Sequence, residues 1–327
     1  MKFKVFIDGA EGTTGLKIHE YFKTRDDIEV LQIDQALRKD PDERLAKMKQ
    51  ADVSFLCLPD AAAAEIAAAA PADCRIIDTS TVHRVCKGWT YGFPELRITA
   101  DGDQKQRDLI KESNRVANPG CHATGVIALL RPLVQNGFLQ PDAFVSAVSL
   151  TGYSGGGKKM IAAYEDPQRC AAGSGASSDG TSDPRKSPGQ YGLTQTHKHI
   201  PEIMQMTGLT VKPSFMPIVA DFYSGMEVTV SLPGGETEGT GQLLKELYKT
   251  YYAEEPMVKV TEDDAPDGFI YANRLAGSNG LEISVRGSAD NILLTATFDN
   301  LGKGASGAAV QNMNIMLGIE ETKGLIE

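Results

Sequence analysis

Short apolar runs alternate with helix-like segments through the first hundred residues of the chain. Runs of strand length begin with "FKVFI" and recur as "IEVLQI", "ADVSFLCLP" and "CRIIDTS". Between them lie an amphipathic stretch, the polar "PDERLAKMKQ" and the alanine-rich "DAAAAEIAAAAPA", whose compositions favour helices. Strands that alternate with helices at this spacing predict an α/β domain with a Rossmann-like, doubly wound parallel sheet.

The second half of the chain has a different pattern. Apolar and polar residues alternate in "FVSAVSLTGYSG", "MEVTVSL", "LEISVRGS" and "NILLTATFDN", with few helical stretches between them. This alternation is typical of sheets with one solvated face, and it predicts an α+β domain with a mixed or antiparallel sheet.

The C-terminal segment returns to a helical pattern. Its apolar positions, Ala309, Met313, Ile315, Met316 and Ile319, predict a helix that packs on the first domain. We therefore expect one domain of residues 1–117 with 303–327, and a second of residues 118–302. Within the second, the Gly- and Ser-rich residues 171–190 predict a loop.

Composition narrows the class of protein. The chain has 327 residues, of which 41% are hydrophobic and 23% charged, as in a soluble globular protein of two domains. The net charge of −10 argues against nonspecific nucleic-acid binding. We expect no membrane association, because no apolar run approaches the ~20 residues that span a bilayer and no secretory signal is visible.

The cysteines argue against a disulfide framework or a zinc ribbon. There are five, an odd number, and none forms a C-x-x-C pair. We therefore expect a reducing, cytoplasmic location and no structural metal.

A glycine motif connects the first strand to its helix. Gly9, Gly12 and Gly15 stand at G-x-x-G-x-x-G spacing, where glycine allows a backbone to approach a pyrophosphate at a helix N-terminus. Thr13 and Thr14 could add hydroxyl donors to phosphate oxygens. The spacing differs from the commoner G-x-G-x-x-G, so a plain strand–turn–helix is the alternative.

The end of the second strand bears on the choice of cofactor. Asp34 lies 19 residues after Gly15, where an acidic residue would bind the ribose 2′-hydroxyl of NAD. Arg38 and Lys39 follow closely, and they could pair with the 2′-phosphate of NADP. The residues alone leave both cofactors open.

The segment "VANPGCHATGVIALLRPL" brings Cys121 to the predicted start of a helix. Unpaired N–H groups and the positive end of the helix dipole favour a thiolate there. The same N–H groups could bind an oxyanion on a substrate. The alternative is a structural cysteine, since this residue is often buried. Pro132 predicts a kink or a new helix start.

A base for this thiol must come from five histidines. His197 and His199 lie two apart, and in an extended segment they would share one face, so that at most one reaches the thiol while the other contacts substrate. A metal pair is the alternative reading of H-x-H, but no third ligand of suitable spacing accompanies it. His122 adjoins Cys121, but neighbours in the first turn of a helix point in different directions.

Two further segments could bind anionic substrate groups. "DTSTVHRV" places Ser80 and Arg84 after a strand end. "TGYSGGGKK" places Ser154 and Lys158 after another strand. Either could instead be an ordinary turn with solvated charges.

Six segments between residues 8 and 312 together resemble the shorter form of the N-acetyl-gamma-glutamyl-phosphate reductase family, within the aspartate-semialdehyde dehydrogenase-like superfamily. They are "DGAEGTTGL", "YGFPEL", "VANPGCHATG", "TGYSGGGKK", "YGLTQTHKHIPEI" and "DNLGKGASGAAVQN". The resemblance implies NADPH-dependent reduction of N-acetyl-L-glutamyl 5-phosphate to the 5-semialdehyde, with release of phosphate, in arginine biosynthesis. It also implies an NADP-binding first domain, a second domain for catalysis and oligomerisation, and a homo-dimer or homo-tetramer.

The resemblance assigns roles to individual residues. Cys121 matches the nucleophile that forms a thioester, and His199 is favoured over His197 as the acid–base group. The remaining expected contacts are Ser80, Arg84, Ser154, Lys158 and His197 for the substrate, and Gly9, Gly12, Thr13, Thr14, Gly15, Arg38 and Asn300 for NADP.

The chain departs from the family pattern in two places. Val82 and His83 replace the aspartate and phenylalanine of an S-A-D-F-R segment, and His122 stands where longer members often have tyrosine. These departures affect the expected substrate contacts more than the expected reaction.

Three alternatives to this function stay open on the sequence. One is reduction of another acyl phosphate, as in aspartate-semialdehyde dehydrogenase. Another is reduction of an acyl phosphate carried on an amino-acid carrier protein. The third, of a different class, is a nonenzymatic NADP-binding redox sensor with Cys121 as its switch.

Overall fold

The structure, a computed structural model, describes residues 2–99, 104–166, 183–233, 241–262, 265, 267–288 and 290–326. The chain forms two compact units, Met1–Gly120 with Gly304–Glu327, and Cys121–Lys303. Residues 171–182 of the predicted loop lie outside the described ranges, whereas Pro184–Lys186 form a single 3₁₀ turn.

Within the described residues, the first unit contains a parallel sheet of six strands in the order β2-β1-β3-β4-β6-β5. The prediction of a doubly wound parallel sheet is confirmed. The strands are β1 (Phe3–Asp8), β2 (Ile28–Leu31), β3 (Val53–Leu56), β4 (Ile76–Asp78), β5 (Thr90–Tyr91) and β6 (Arg115–Ala117).

Helices cover both faces of this sheet, because its strands carry apolar side chains on both faces. Val5 and Ile7 of β1 join one core cluster, and Phe6, between them, joins the other. The helices near these strands are α1 (Thr13–Phe22), α2 (Pro41–Gln50), α3 (Asp60–Ala69) and α4 (Gln106–Glu112).

The second unit contains, among its described residues, a mixed sheet of seven strands in the order β11-β12-β13-β10-β7-β9-β8. Two strand pairs are parallel and four antiparallel, which confirms the predicted mixed sheet. The strands are β7 (Ser146–Gly152), β8 (Gly189–Gln190), β9 (Ser214–Ala220), β10 (Met226–Pro233), β11 (Val258–Val260), β12 (Leu281–Ser288) and β13 (Asn291–Phe298). The helices are α5 (Cys121–Gln135), α6 (Gly157–Tyr164), α7 (Ile200–Thr207) and α8 (Gly241–Tyr251).

The last helix of the chain, α9 (Gly307–Leu317), belongs to the first unit. Val310, Met313 and Met316 are buried in the same core cluster as Val5 and Ile7. No described helix combines the length and the apolar character that crossing a bilayer requires.

Helix α5 begins at Cys121, as predicted, and lies against β10 and β13. Gly125 permits this packing, because a Cβ at this position would lie 2.5 Å from Cγ2 of Val228 and 2.9 Å from Cε1 of Phe298. The catalytic candidate is therefore held by a helix that packs closely on the sheet of its own unit.

Pro132 does not start a new helix, because α5 continues through it to Gln135. A proline has no N–H for the carbonyl four residues earlier, which here belongs to Ala128. The hydroxyl of Tyr252 donates to that carbonyl at 2.8 Å. A buried tyrosine thus supplies the hydrogen bond that Pro132 cannot make.

Replacing Tyr252 with phenylalanine is expected to lower the free energy of unfolding by about 1–3 kcal/mol, because the buried Ala128 carbonyl loses its donor. In a Pro132→Ala background, residue 132 regains an N–H for the same carbonyl. Tyr252→Phe is therefore expected to lower the free energy of unfolding by less in that background. Urea unfolding of the four proteins measures this coupling. An equal decrease in the free energy of unfolding in both backgrounds would contradict the role of Tyr252 as the replacement donor.

Candidate active site

The glycine motif lies at the point where the strand order of the first unit reverses. β2 and β3 flank β1 on opposite sides, and ligands of doubly wound sheets bind at such a position. Gly9 follows β1 with φ of +83°, and a Cβ there would lie 2.3 Å from the carbonyl oxygen of Cys57. A Cβ at Gly15 would lie 2.6 Å from the carbonyl oxygen of Gly9. The turn therefore requires glycine at both positions.

The helix that follows this turn starts as expected. Gly12 is the N-cap of α1, and Thr13 and Thr14 form its first turn, half-buried. The loop thus presents the start of a helix next to close-packed glycines, an arrangement that fits a pyrophosphate.

A cavity of about 690 Å³ lies beside this turn. Arg38 and Lys39 line it, together with Gly9 and Glu11. Arg38 forms an ion pair with Glu11 across part of the cavity wall. Asp34 is not one of the lining residues, and its Oδ1 accepts a hydrogen bond of 2.8 Å from the backbone N–H of Ala36.

Ser80 and Arg84 are both buried in the first unit, after the end of β4. The Ser80 hydroxyl donates to Asp78 at 2.6 Å, and the Nδ1 atom of His83 lies 2.6 Å from the same carboxylate oxygen. The Arg84 guanidinium donates to the carbonyls of Asn118 and Thr79, at 3.0 and 3.3 Å. The structure therefore places both residues in hydrogen-bond networks of their own unit.

In the second unit, Cys121 is the first residue of α5 and is half-buried. Three histidines lie in the same region. The ring of His122 is centred 5.6 Å from the rings of both His197 and His199, and those two are 4.7 Å apart. The structure thus brings both histidines of the H-x-H segment next to the ring of His122, which follows Cys121 in the first turn of α5.

His122 is buried, and both of its ring nitrogens lie within hydrogen-bond distance of a hydroxyl group. Its Nδ1 lies 2.6 Å from the hydroxyl of Ser149 in β7, and its Nε2 lies 2.6 Å from the hydroxyl of Tyr191. Burial, followed by the charges of His197 and Lys198, lowers the pKa of His122 to about 3. The imidazole is therefore neutral at physiological pH and carries a single ring N–H.

The H-x-H segment runs into a turn and not into an extended strand, so the condition under which its two histidines would share one face is not met at His199. His199 has φ of −84° and ψ of −13° and is the N-cap of α7. Pro201 and Glu202 then lie in the first turn of that helix. Proline and an acidic residue favour a helix start, so the chain turns at His199 to enter α7. Both histidines reach the region of His122 from this turn.

His199 and His197 differ in their surroundings. His199 is buried, and its Nε2 lies 3.8 Å from the carboxylate of Glu202, which is only 1% exposed. His197 is half-buried, and its Nδ1 accepts the backbone N–H of His199 at 3.3 Å, which leaves the ring proton on Nε2. A buried carboxylate thus lies 3.8 Å from the His199 ring.

Ser154 and Asn300 lie together in the second unit, both buried. The Asn300 side chain donates to the Ser154 hydroxyl at 3.0 Å and accepts from the N–H of Gly225 at 2.8 Å. Lys158 is exposed on α6. The described residues contain no cluster of three His, Cys, Asp or Glu side chains that could hold a metal.

The sequence predictions did not include Tyr191, Ser149 or Glu202 among the candidate residues. Tyr191 and Glu202 lie within the segment "YGLTQTHKHIPEI", which resembles the family over its whole length. That resemblance is the signal that could have found them. Ser149 is 27 residues from His122 and sits in a plain alternating strand, so nothing in the sequence marks it.

Comparison with known families agrees with this architecture. Residues 4–101 match a family model described as "Semialdehyde dehydrogenase, NAD binding domain", and residues 121–300 match "Semialdehyde dehydrogenase, dimerisation domain". Solved structures share the fold: aspartate semialdehyde dehydrogenase II from Vibrio cholerae has a TM-score of 0.67 at 15% identity, covering 97% of this chain and 99% of that one. The enzyme from Francisella tularensis has a TM-score of 0.69 at 13% identity, covering 96% of this chain and 100% of that one.

Fold and site together define an oxidoreductase of the semialdehyde dehydrogenase type, with a domain for a nicotinamide cofactor. Among curated proteins, the N-acetyl-gamma-glutamyl-phosphate reductases of Brucella ovis and Brucella canis are each 44% identical over 329 residues. Each alignment covers 97% of this chain and 100% of the relative. The chain belongs to the N-acetyl-gamma-glutamyl-phosphate reductase family.

Proposed function

We propose that this chain reduces N-acetyl-L-glutamyl 5-phosphate to N-acetyl-L-glutamate 5-semialdehyde and phosphate with NADPH, a step of arginine biosynthesis. The proposal rests on Cys121 at the first position of α5, in a chain 44% identical to reductases of that name. The rings of His197 and His199 lie next to His122, the residue after Cys121. A thiol at a helix start and a nearby histidine are the groups that acyl transfer requires.

In the first half of the reaction, Cys121 is the nucleophile. Its thiolate forms a bond to the acyl carbon, the bond from that carbon to the phosphate oxygen breaks, and a thioester remains on the enzyme. The N–H groups of the first turn of α5 have no intrahelical partner, and they stabilise the negative oxygen that develops on the acyl carbon.

A nicotinamide cofactor held at the glycine turn of Gly9, Gly12 and Gly15 would supply the hydride that the thioester carbon needs in the second half of the reaction. Hydride addition leaves a tetrahedral oxyanion; as it collapses to the aldehyde and the C–S bond breaks, His199 supplies the proton that the departing sulfur of Cys121 takes up. Glu202, buried 3.8 Å from His199 Nε2, orients the imidazole and stabilises its charged form during transfer.

Substrate anions would be bound by Ser80, Arg84, Ser154, Lys158 and His197. His197, with its proton on Nε2, is a donor, and Lys158 supplies an exposed positive charge on α6. Asn300, which we expected at the cofactor, supports the role of Ser154 through their 3.0 Å hydrogen bond.

NADP is the nicotinamide cofactor that the cavity favours. Arg38 and Lys39 line the cavity next to the glycine turn, and a guanidinium and an ammonium there suit a 2′-phosphate. Asp34 is the residue that would select NAD. Its carboxylate instead accepts a hydrogen bond from the backbone N–H of Ala36 in the turn that follows β2. We further propose a cytoplasmic homo-dimer or homo-tetramer, for which the matched dimerisation domain is the support.

The reverse reaction tests this function. With N-acetylglutamate semialdehyde, NADP reduction is expected to require phosphate, and the chain is expected to prefer this substrate over aspartate semialdehyde. Cys121→Ser is expected to lower kcat by about three orders of magnitude or more, because the hydroxyl is a far weaker nucleophile. Cys86→Ser, at an exposed thiol of the first unit, is the matched control and keeps wild-type kinetics.

Preference for aspartate semialdehyde would overturn the substrate assignment. Full activity of Cys121→Ser would overturn the nucleophile.

Cofactor choice is tested at Arg38 and Asp34. Arg38→Ala is expected to raise KM for NADP about tenfold or more while leaving KM for NAD nearly unchanged, since a charge-assisted bond to the 2′-phosphate is lost. Asp34→Ala is the control and is expected to leave KM for NADP nearly unchanged. A rise in KM for NAD with Asp34→Ala, and none for NADP with Arg38→Ala, would indicate an NAD enzyme.

A further inference from the structure

Two arginines line the cavity beside the glycine turn, and each is paired with a carboxylate. The Arg44 guanidinium donates to Asp8 from Nε at 2.7 Å and lies 2.6 Å from the same oxygen through Nη2. These two side chains are only 13% and 5% exposed. The side chains of Arg38 and Glu11, which form the other pair, are 41% and 64% exposed. The cavity thus holds one buried ion pair and one exposed ion pair.

Burial determines which of the two arginines can bind an anionic ligand. Taking Arg44 away from Asp8 would leave a carboxylate without its partner and away from water, which is strongly unfavourable. Arg38 and Glu11 are held together only weakly, because water and salt screen an exposed pair. Arg38 can therefore exchange its carboxylate for another anion, whereas Arg44 stays bound to Asp8.

Glu11 belongs to the glycine turn itself. It lies between Gly9 and Gly12, whose backbones are joined by a hydrogen bond of 2.9 Å from the N–H of Gly12 to the carbonyl of Gly9. Its carboxylate reaches Arg38, 27 residues further along the chain and after β2. A phosphate that binds Arg38 must either displace this carboxylate or lie beside it, and two like charges repel each other.

We propose that Glu11 is a specificity-determining residue that limits the preference of this chain for NADP over NAD, because its carboxylate competes with the 2′-phosphate for Arg38. NAD has a hydroxyl in place of this phosphate, so it leaves the ion pair intact. The unfavourable contribution therefore falls on NADP alone, and specificity is the difference between the two affinities. The inference rests on the proposed function in taking Arg38 as the site of the 2′-phosphate.

Two variants that each remove one carboxylate separate this competition from a general change in charge. Glu11→Gln keeps the size of the side chain and removes its charge. Glu20→Gln is the matched control, because Glu20 is an exposed carboxylate of the same unit that pairs with Lys17 at 3.0 Å. It is not among the described residues that line the cavity.

The test is the Kd for NADP and for NAD, measured by calorimetric titration of the full chain at low ionic strength without substrate. Glu11→Gln is expected to lower Kd for NADP about two- to fivefold, the range for one exposed ion pair, and to leave Kd for NAD nearly unchanged. This gain is expected to shrink in about 0.5 M salt, which screens exposed charges. It is also expected to be smaller in an Arg38→Ala background. Glu20→Gln is expected to keep both wild-type values.

An unchanged or raised Kd for NADP in Glu11→Gln would overturn the inference. An equal fall in Kd for NAD, or the same fall in Glu20→Gln or in the Arg38→Ala background, would also overturn it. The titration separates this inference from the proposed cofactor site. If Arg38→Ala raises Kd for NADP but Glu11→Gln does not lower it, only the competition is wrong; if Arg38→Ala has no effect, the proposed phosphate site is wrong and the inference falls with it.

Discussion

The start of α5 is the constraint on which the rest of the site depends. The backbone N–H groups of a first helical turn have no partners inside the helix, and here the residue at that start is Cys121. A serine or aspartate in this position would satisfy one of these groups with its own side chain. A thiol leaves them available for its own charge and for the oxygen of an acyl group bound to it.

Helix α5 must stay in place although its sequence contains two residues that disfavour helices. Gly125 is required because Val228 and Phe298 leave no room for a Cβ. Pro132 removes one backbone bond, which the Tyr252 hydroxyl replaces at Ala128. Both departures from helix propensity are explained by tertiary contacts within the same unit, so the position of the thiol depends on packing far along the helix.

The three clustered histidines, His122, His197 and His199, have different environments, and this difference supports different proposed roles. His122 is neutral, and both of its ring nitrogens are bonded to protein hydroxyls, an environment that does not suit a group that transfers a proton. His199 has a buried carboxylate 3.8 Å from its Nε2, which suits a ring that gains charge during a reaction.

Much of the fold could be predicted because most strands can be recognised from a short run of neighbouring apolar residues. β1 to β4 lie in apolar runs bounded by turns or helices, whereas β5 and β6, of two and three residues, are too short to show a period. The turn that contains His199 precedes α7, and Pro201 and Glu202 are ordinary signals of that helix start. The partners of His122 could not be predicted, because Tyr191 lies 69 residues away and approaches it only through the sheet.

The central claim is that Cys121 carries the acyl group between the two halves of the reaction. The most direct test is to mix the enzyme with N-acetylglutamyl phosphate in the absence of reduced cofactor, quench in acid and measure peptide masses. The account predicts one N-acetylglutamyl group on the peptide that contains Cys121, none in Cys121→Ser, and loss of the group when NADPH is added before the quench. An acyl group on a different residue, or turnover with no acylated Cys121 at any time, would contradict it.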